Sequence, residues 1–231
     1  MFEISPTEWT AILLSLRVAV IATLVATPFG IALAWLLARR DFWGKSILDA
    51  AVHLPLVLPP VVTGYLLLLT FGKRGMVGAW LAEHLGIVFA FRWTGAALAC
   101  GVMSFPLLVR PIRLSIEAVD RRLEQAAETL GAAPWRVFAT VTLPLALPGV
   151  LAGMVLGFAK AIGEFGATIT FVSNIPGETQ TISSAIYSLI QTPDGDAAAG
   201  RLVIISVAIA MGALIAAEWF ARRATARLHG Q

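Results

Sequence analysis

The chain has 231 residues, 58% of them hydrophobic and 13% charged, with a formal net charge of +3. Soluble domains carry about 25% charged residues, and a fold of this length has no interior able to hide so much apolar surface, so a soluble protein is excluded and a membrane protein indicated. The basic residues are scattered between apolar runs rather than gathered on one face, which argues against a nucleic-acid partner.

A membrane-spanning helix needs about 17–25 mostly apolar residues. The N-terminus carries Glu3 and Glu8 without an early basic residue, so no cleavable signal peptide is expected. The first span is predicted over residues 10–38, its apolar run lying between Arg17 and Arg39. Arg17, near the outer end, is expected to snorkel to headgroups. Gly44-Lys45-Ser46 resembles the end of a phosphate-binding loop, but the first glycine of that motif would fall at Arg39, so a turn is predicted.

The second span is predicted over 48–72 and contains Pro55, Pro59 and Pro60; the third, over 93–116, contains Pro106 and Pro111. Proline removes a backbone donor and kinks a helix. Two readings stand: bent helices lining a pathway, or kinks that serve packing. Between these spans, Glu83 and His84 sit in the middle of 75–91, which predicts an interfacial helix with His84 as a plain surface residue. Cys100 excludes an internal disulfide and reads as a packed thiol.

The fourth span is predicted over 145–172 and the fifth over 201–221, with Glu218 near its end. Lys160 and Glu164, four apart, would share a helical face. Charge at membrane depth costs about 2.5–3.5 kcal/mol and points to function by default. The pair could line a path for an anion, or neutralise itself between helices. Thr168, Thr170 and Ser173 follow it, able to bond either an anion or their own backbone.

Orientation follows the basic residues. Arg39, Arg40, Lys45, Arg110, Arg113, Arg121, Arg122, Arg136, Arg222, Arg223 and Arg227 fall on one side; Lys73, Arg74, Arg92 and Arg201 fall on the other. The expectation is a multi-pass protein with its N-terminus outside and its C-terminus in the cytoplasm.

The long cytoplasmic loop, 117–144, carries the richest local signal. Asp120 suits an N-cap, and Leu123, Ala127 and Leu130 recur along one helical face. Gly131 suits a left-handed stop, and Pro134 the first turn of a second helix that Leu143-Pro144 would end. The result is a helix, a glycine joint and a helix: either a knob for a partner's groove or an amphipathic helix on headgroups.

Here a resemblance bears on the choice. Gln125-Ala126-Ala127, Gly131 and Val141-Thr142-Leu143-Pro144 match the spacing of the EAA loop of ABC importer permeases. Gln125 stands where that family usually has Glu, with Glu124 just before it, and Val141 replaces Ile. His53-Leu54-Pro55, Gly163-Glu164-Phe165-Gly166 and Asn174-Ile175-Pro176-Gly177 resemble the molybdate/sulfate/tungstate branch, most of all its molybdate permeases.

The resemblance implies an all-α polytopic type I importer permease, one transmembrane domain over 1–231, in a bacterial inner membrane. It assigns ATPase coupling to Glu124, Gln125, Ala126, Ala127, Gly131, Leu143 and Pro144. Translocation-path candidates are Pro59, Pro60, Lys160, Glu164, Thr168 and Thr170.

No nucleotide site, metal cluster or catalytic set is evident, so this subunit is not expected to be an enzyme or to bind a cofactor. ATP and Mg would be used by two separate ABC ATPase subunits. Five helices are few to enclose a path, so a homodimer is expected. An external oxyanion-binding protein would deliver cargo to outward loops such as 173–200. A passive anion channel is the rival class, separated by ATP dependence; an intramembrane enzyme would need paired catalytic residues in different spans.

Overall fold

A computed structural model describes residues 4–228, with the side chains at 217, 218 and 220–228 left outside the description. Glu3, Glu218, Arg222, Arg223 and Arg227 therefore lie outside the described residues or side chains. Every regular element among the described residues is helical.

Helix α1, Pro6–Arg39, opens on a capping box: Ser5 Oγ accepts from the Glu8 N–H, and the Glu8 carboxylate accepts from the Ser5 N–H at 2.6 Å. Helix α2, Lys45–Val57, and helix α3, Pro60–Phe71, follow, bent by 114° at the break between them. The expected second span over 48–72 is thus not one rod. Proline at 59 and 60 disfavours helical backbone in the residue before each, and Leu58 and Pro59 are extended, with ψ of 144° and 133°. Each half is about 20 Å long at 1.5 Å per residue, too short to cross alone.

Helix α4, Met76–Leu85, is the short element expected in 75–91; His84 bonds the Trp80 carbonyl and stacks on its ring. Helix α5, Trp93–Ala118, runs unbroken through Pro106 and Pro111. Arg17 does not simply snorkel: its guanidinium lies 3.8 Å over the Trp93 ring.

Helix α6, Arg121–Thr129, and helix α7, Pro134–Val137, form the loop beyond α5. A π turn, Phe138–Thr142, then leads directly into helix α8, Leu143–Ile162. Leu143-Pro144 therefore does not end the second helix of the loop; it starts α8 within a continuous rod, 134–162. The π turn makes this possible. Leu143 donates five residues back to Phe138, so the ladder has already widened where Pro144 offers no donor.

The expected fourth span over 145–172 is also broken. Gly163, Glu164 and Phe165 leave helical geometry, and helix α9, Gly166–Val172, starts afresh. Helix α10, Ile182–Leu189, lies within the stretch predicted as an outward loop, and helix α11, Asp196–Leu228, contains the fifth span. Among the described residues, four helices are long and apolar enough to cross a membrane, or five if the bent pair α2–α3 is one span.

The bundle centres on α1, α5 and α8. Leu108, Ile112, Ile116 and Ala146 form one part of the core; Val18, Ala99, Met103 and Phe171 form another. In lipid, close approach rests on small residues. A Cβ on Gly153 would sit 2.5 Å from the Leu108 carbonyl oxygen, so glycine there sets the α5–α8 distance. At the opposite end from Arg39, Ala11, Ile12, Ile182, Ala185 and Leu202 make a small core joining α1, α10 and α11. Ser15 Oγ accepts the Ile182 N–H at 2.7 Å, and Glu8 pairs with Arg201 at 3.0 Å.

Candidate functional site

The loop between α5 and α8 is built by local chemistry. The Asp120 side chain caps α6 by accepting from the Arg122 N–H at 2.9 Å. Gly131 stops α6 at φ +84°, the left-handed region that glycine favours, while its N–H bonds Glu128 O and the Ala132 N–H bonds Ala127 O. Pro134 opens α7. No residue of α6 is buried. Gln125 and Ala126 are exposed and Ala127 half-buried; Leu130 is 89% and Trp135 67% exposed.

Large apolar side chains offered next to an exposed small-residue face suit a partner's groove. The sequence places Leu130 on one helical face with Leu123 and Ala127 but does not show that Leu130 and Trp135 project outward, because exposure is decided by how the joint turns.

Glu124 behaves differently from its neighbours. Its Oε1 accepts from Arg39 Nε at 3.2 Å, Arg39 Nη2 at 3.0 Å and Thr142 Oγ1 at 2.6 Å. The carboxylate faces the bundle, so it does not stand in for the outward polar group at position 125, where Gln125 is exposed. Leu143 and Pro144 stand at the foot of α8, behind this contact.

The second candidate group lies where the two broken helices meet. A Cβ on Gly166 would sit 2.7 Å from Pro60 Cβ, and one on Gly64 would sit 2.5 Å from the Ala167 carbonyl oxygen and 2.9 Å from Thr170 Cβ. Pro59 and Pro60 are exposed beside this contact. The structure thus brings Pro60, Lys160, Glu164, Thr168 and Thr170 into one region around the α3–α9 junction.

Lys160 and Glu164 do not share a face of one helix. Lys160 lies in the last turn of α8, and Glu164 lies in the break, where its Oε1 caps α9 by accepting the Ala167 N–H at 3.0 Å. Its Oε2 meets Lys160 Nζ at 2.7 Å; the Glu164 side chain is 1% exposed and that of Lys160 29%. Glu164 is therefore a helix cap held between helices, while the ammonium keeps an open side. Thr168 and Thr170 donate to Phe165 O and Gly166 O, each at 2.8 Å, so both hydroxyls are spent on their own helix. Ser173, at φ +66°, ends α9.

A cavity of about 680 Å³ lies elsewhere. It is bounded by α1, α2 and α5 through residues such as Val25, Phe29, Val52, Trp93 and Phe105. Its lining is almost wholly apolar and carries no charged side chain, which suits an anion poorly.

Residues 26–226 match the family described as binding-protein-dependent transport system inner membrane component. The molybdenum transport system permease protein ModB of Escherichia coli (strain K12) is 63% identical over 215 residues, covering 93% of this chain and 94% of that one. Its namesake in Haemophilus influenzae is 56% identical over 221 residues, 96% of each chain. A probable sulfate transport system permease protein, cysT, of Chlorokybus atmophyticus is 38% identical over 82% of this chain and 66% of that one. Among solved structures, a bacterial ABC transporter involved in the import of the acidic polysaccharide alginate has a chain that superposes with a TM-score of 0.73. That chain is 20% identical, with 95% of this chain and 80% of that one covered, a likeness of fold.

Proposed function

The chain belongs to the family of binding-protein-dependent transport system inner membrane components, and from that premise we propose that it is the permease subunit of an ATP-driven importer of molybdate. The observation that carries the cargo is the 63% identity to a molybdenum permease across nearly the whole of both chains, against 38% to a sulfate-type relative. The chain is a transport subunit rather than a catalyst.

Two copies form the path, related by a two-fold axis, and each offers its loop to one ATPase subunit that uses ATP and Mg. The outer face of α6, with Leu130 and Trp135 projecting beside it, supports that docking role. The N-terminus faces outward and the C-terminus inward, as the basic residues near Arg39 and Arg113 favour. An oxyanion-binding protein docks on the outer face, where α10 and the outer ends of α1 and α11 share a core.

Transport proceeds by alternating access. The halves α2–α3 and α8–α9, broken at neighbouring points, supply backbone that can rearrange without unfolding a full span. Lys160, the half-exposed cation at that junction, attracts the dianion, and Glu164 beside it moderates the attraction. Reconstituted with its ATPase and binding protein, the complex is expected to take up molybdate only when ATP is present. Uptake that is unchanged without ATP means a passive channel. Competition by tungstate and sulfate ranks the cargo.

A further inference from the structure

Helix α6 packs chiefly on α7 and the π turn, the start of the rod that continues into α8. A second contact joins it to the other central helices. Among the described residues, the ion pair that ties α6 to a span is Arg39–Glu124, with side chains only 9% and 15% exposed. Three donors converge on one carboxylate oxygen: two guanidinium nitrogens at the end of α1 and the Thr142 hydroxyl in the π turn below α8. Arg39 Nη2 also donates to Val119 O, the residue that closes α5, at 3.2 Å. One side chain of α6 is thus joined to the ends of α1, α5 and α8, the three helices at the centre of the bundle. Charge-assisted bonds sheltered from water are stronger than neutral ones.

We propose that Glu124 and Arg39 are positioning residues for transport: they form the strut through which a displaced α6 moves α1, α5 and α8. Leu130, Trp135 and Gln125 present the surface that is gripped; Glu124 faces the other way. The inference rests on the reading that the ATPase holds this loop.

The test uses the full complex of permease, ATPase and binding protein in proteoliposomes, with molybdate uptake and ATP hydrolysis measured in one sample. Glu124→Ala is expected to lower the molybdate moved per ATP roughly tenfold, in line with losing one partner of a sheltered charge pair, while the ATPase still copurifies. Arg39→Ala should do the same, and the exchange Arg39→Glu with Glu124→Arg should recover a substantial part of the ratio. Glu124→Gln, which keeps size and shape, serves if the alanine variant does not insert. An unchanged ratio in the inserted variant overturns the strut, as does loss of ATPase copurification with Glu124→Gln. If the ATPase fails to copurify even with the unaltered chain, it is the docking reading that fails.

Discussion

Removing the Lys160 ammonium would leave Glu164, 2% exposed, as a carboxylate with no counter-charge inside the bundle. Breaking such a pair typically costs about 3–5 kcal/mol. Lys160→Met is therefore expected to reduce the amount of folded protein recovered from membranes, and Lys160→Met with Glu164→Gln to restore it, both read by detergent-solubilised thermal stability. Uptake by the double variant then tests the pair's part in transport apart from its part in folding: wild-type uptake would remove both groups from the path. Local chemistry at single residues was legible in the sequence. Asp120, Gly131 and Pro134 act on backbone groups within a few positions, so their spacing names their roles. The inward turn of Glu124 was not legible, because its partners Arg39 and Thr142 lie 85 and 18 residues away. For Lys160 and Glu164, the four-residue spacing suggests one helical face, whereas the carboxylate caps the following helix instead.

At the scale of elements, hydropathy located the spans but not their interruptions. An apolar run reads alike whether it is one rod or two. The prolines at 59 and 60 announced the first break; the second, at Gly163–Phe165, was masked by helix-favouring spacing on both sides. Helix α10 was read as loop because Thr181, Ser183 and Ser184 interrupt any apolar pattern; what orders it is Ile182, 0% exposed and bonded to Ser15. The α3–α9 contact makes the next prediction. A side chain at Gly64 has no room against the Ala167 backbone, which cannot give as a flexible side chain would. Gly64→Val is expected to separate the two half-helices, at a cost of about 1–3 kcal/mol typical of overpacking. The checks are a lower unfolding temperature and reduced uptake; an unchanged unfolding temperature would show that this contact does not hold the halves together.

For the whole molecule, the all-helical, membrane-spanning character could be read from composition and the length of the apolar runs, since both follow from the solvent rather than from packing; the importer fold came from the resemblance of the loop. Orientation is open to a direct measurement. Leu130 is 89% exposed on the loop, whereas the native Cys100 is buried and bonded to Ala161 O, so it adds little background. Leu130→Cys should react with a membrane-impermeant maleimide in inside-out vesicles and stay unlabelled in right-side-out ones; the reverse pattern would place the loop outside and end the coupling assignment. The paired breaks also set how the gene can vary. Exposed positions such as Leu69 admit apolar replacements, but an added or deleted codon ahead of Gly64 in α3 turns its face by about 100° and carries Gly64 away from Ala167. Descendants of this chain are free to change letters along that half-helix, yet are held to its length.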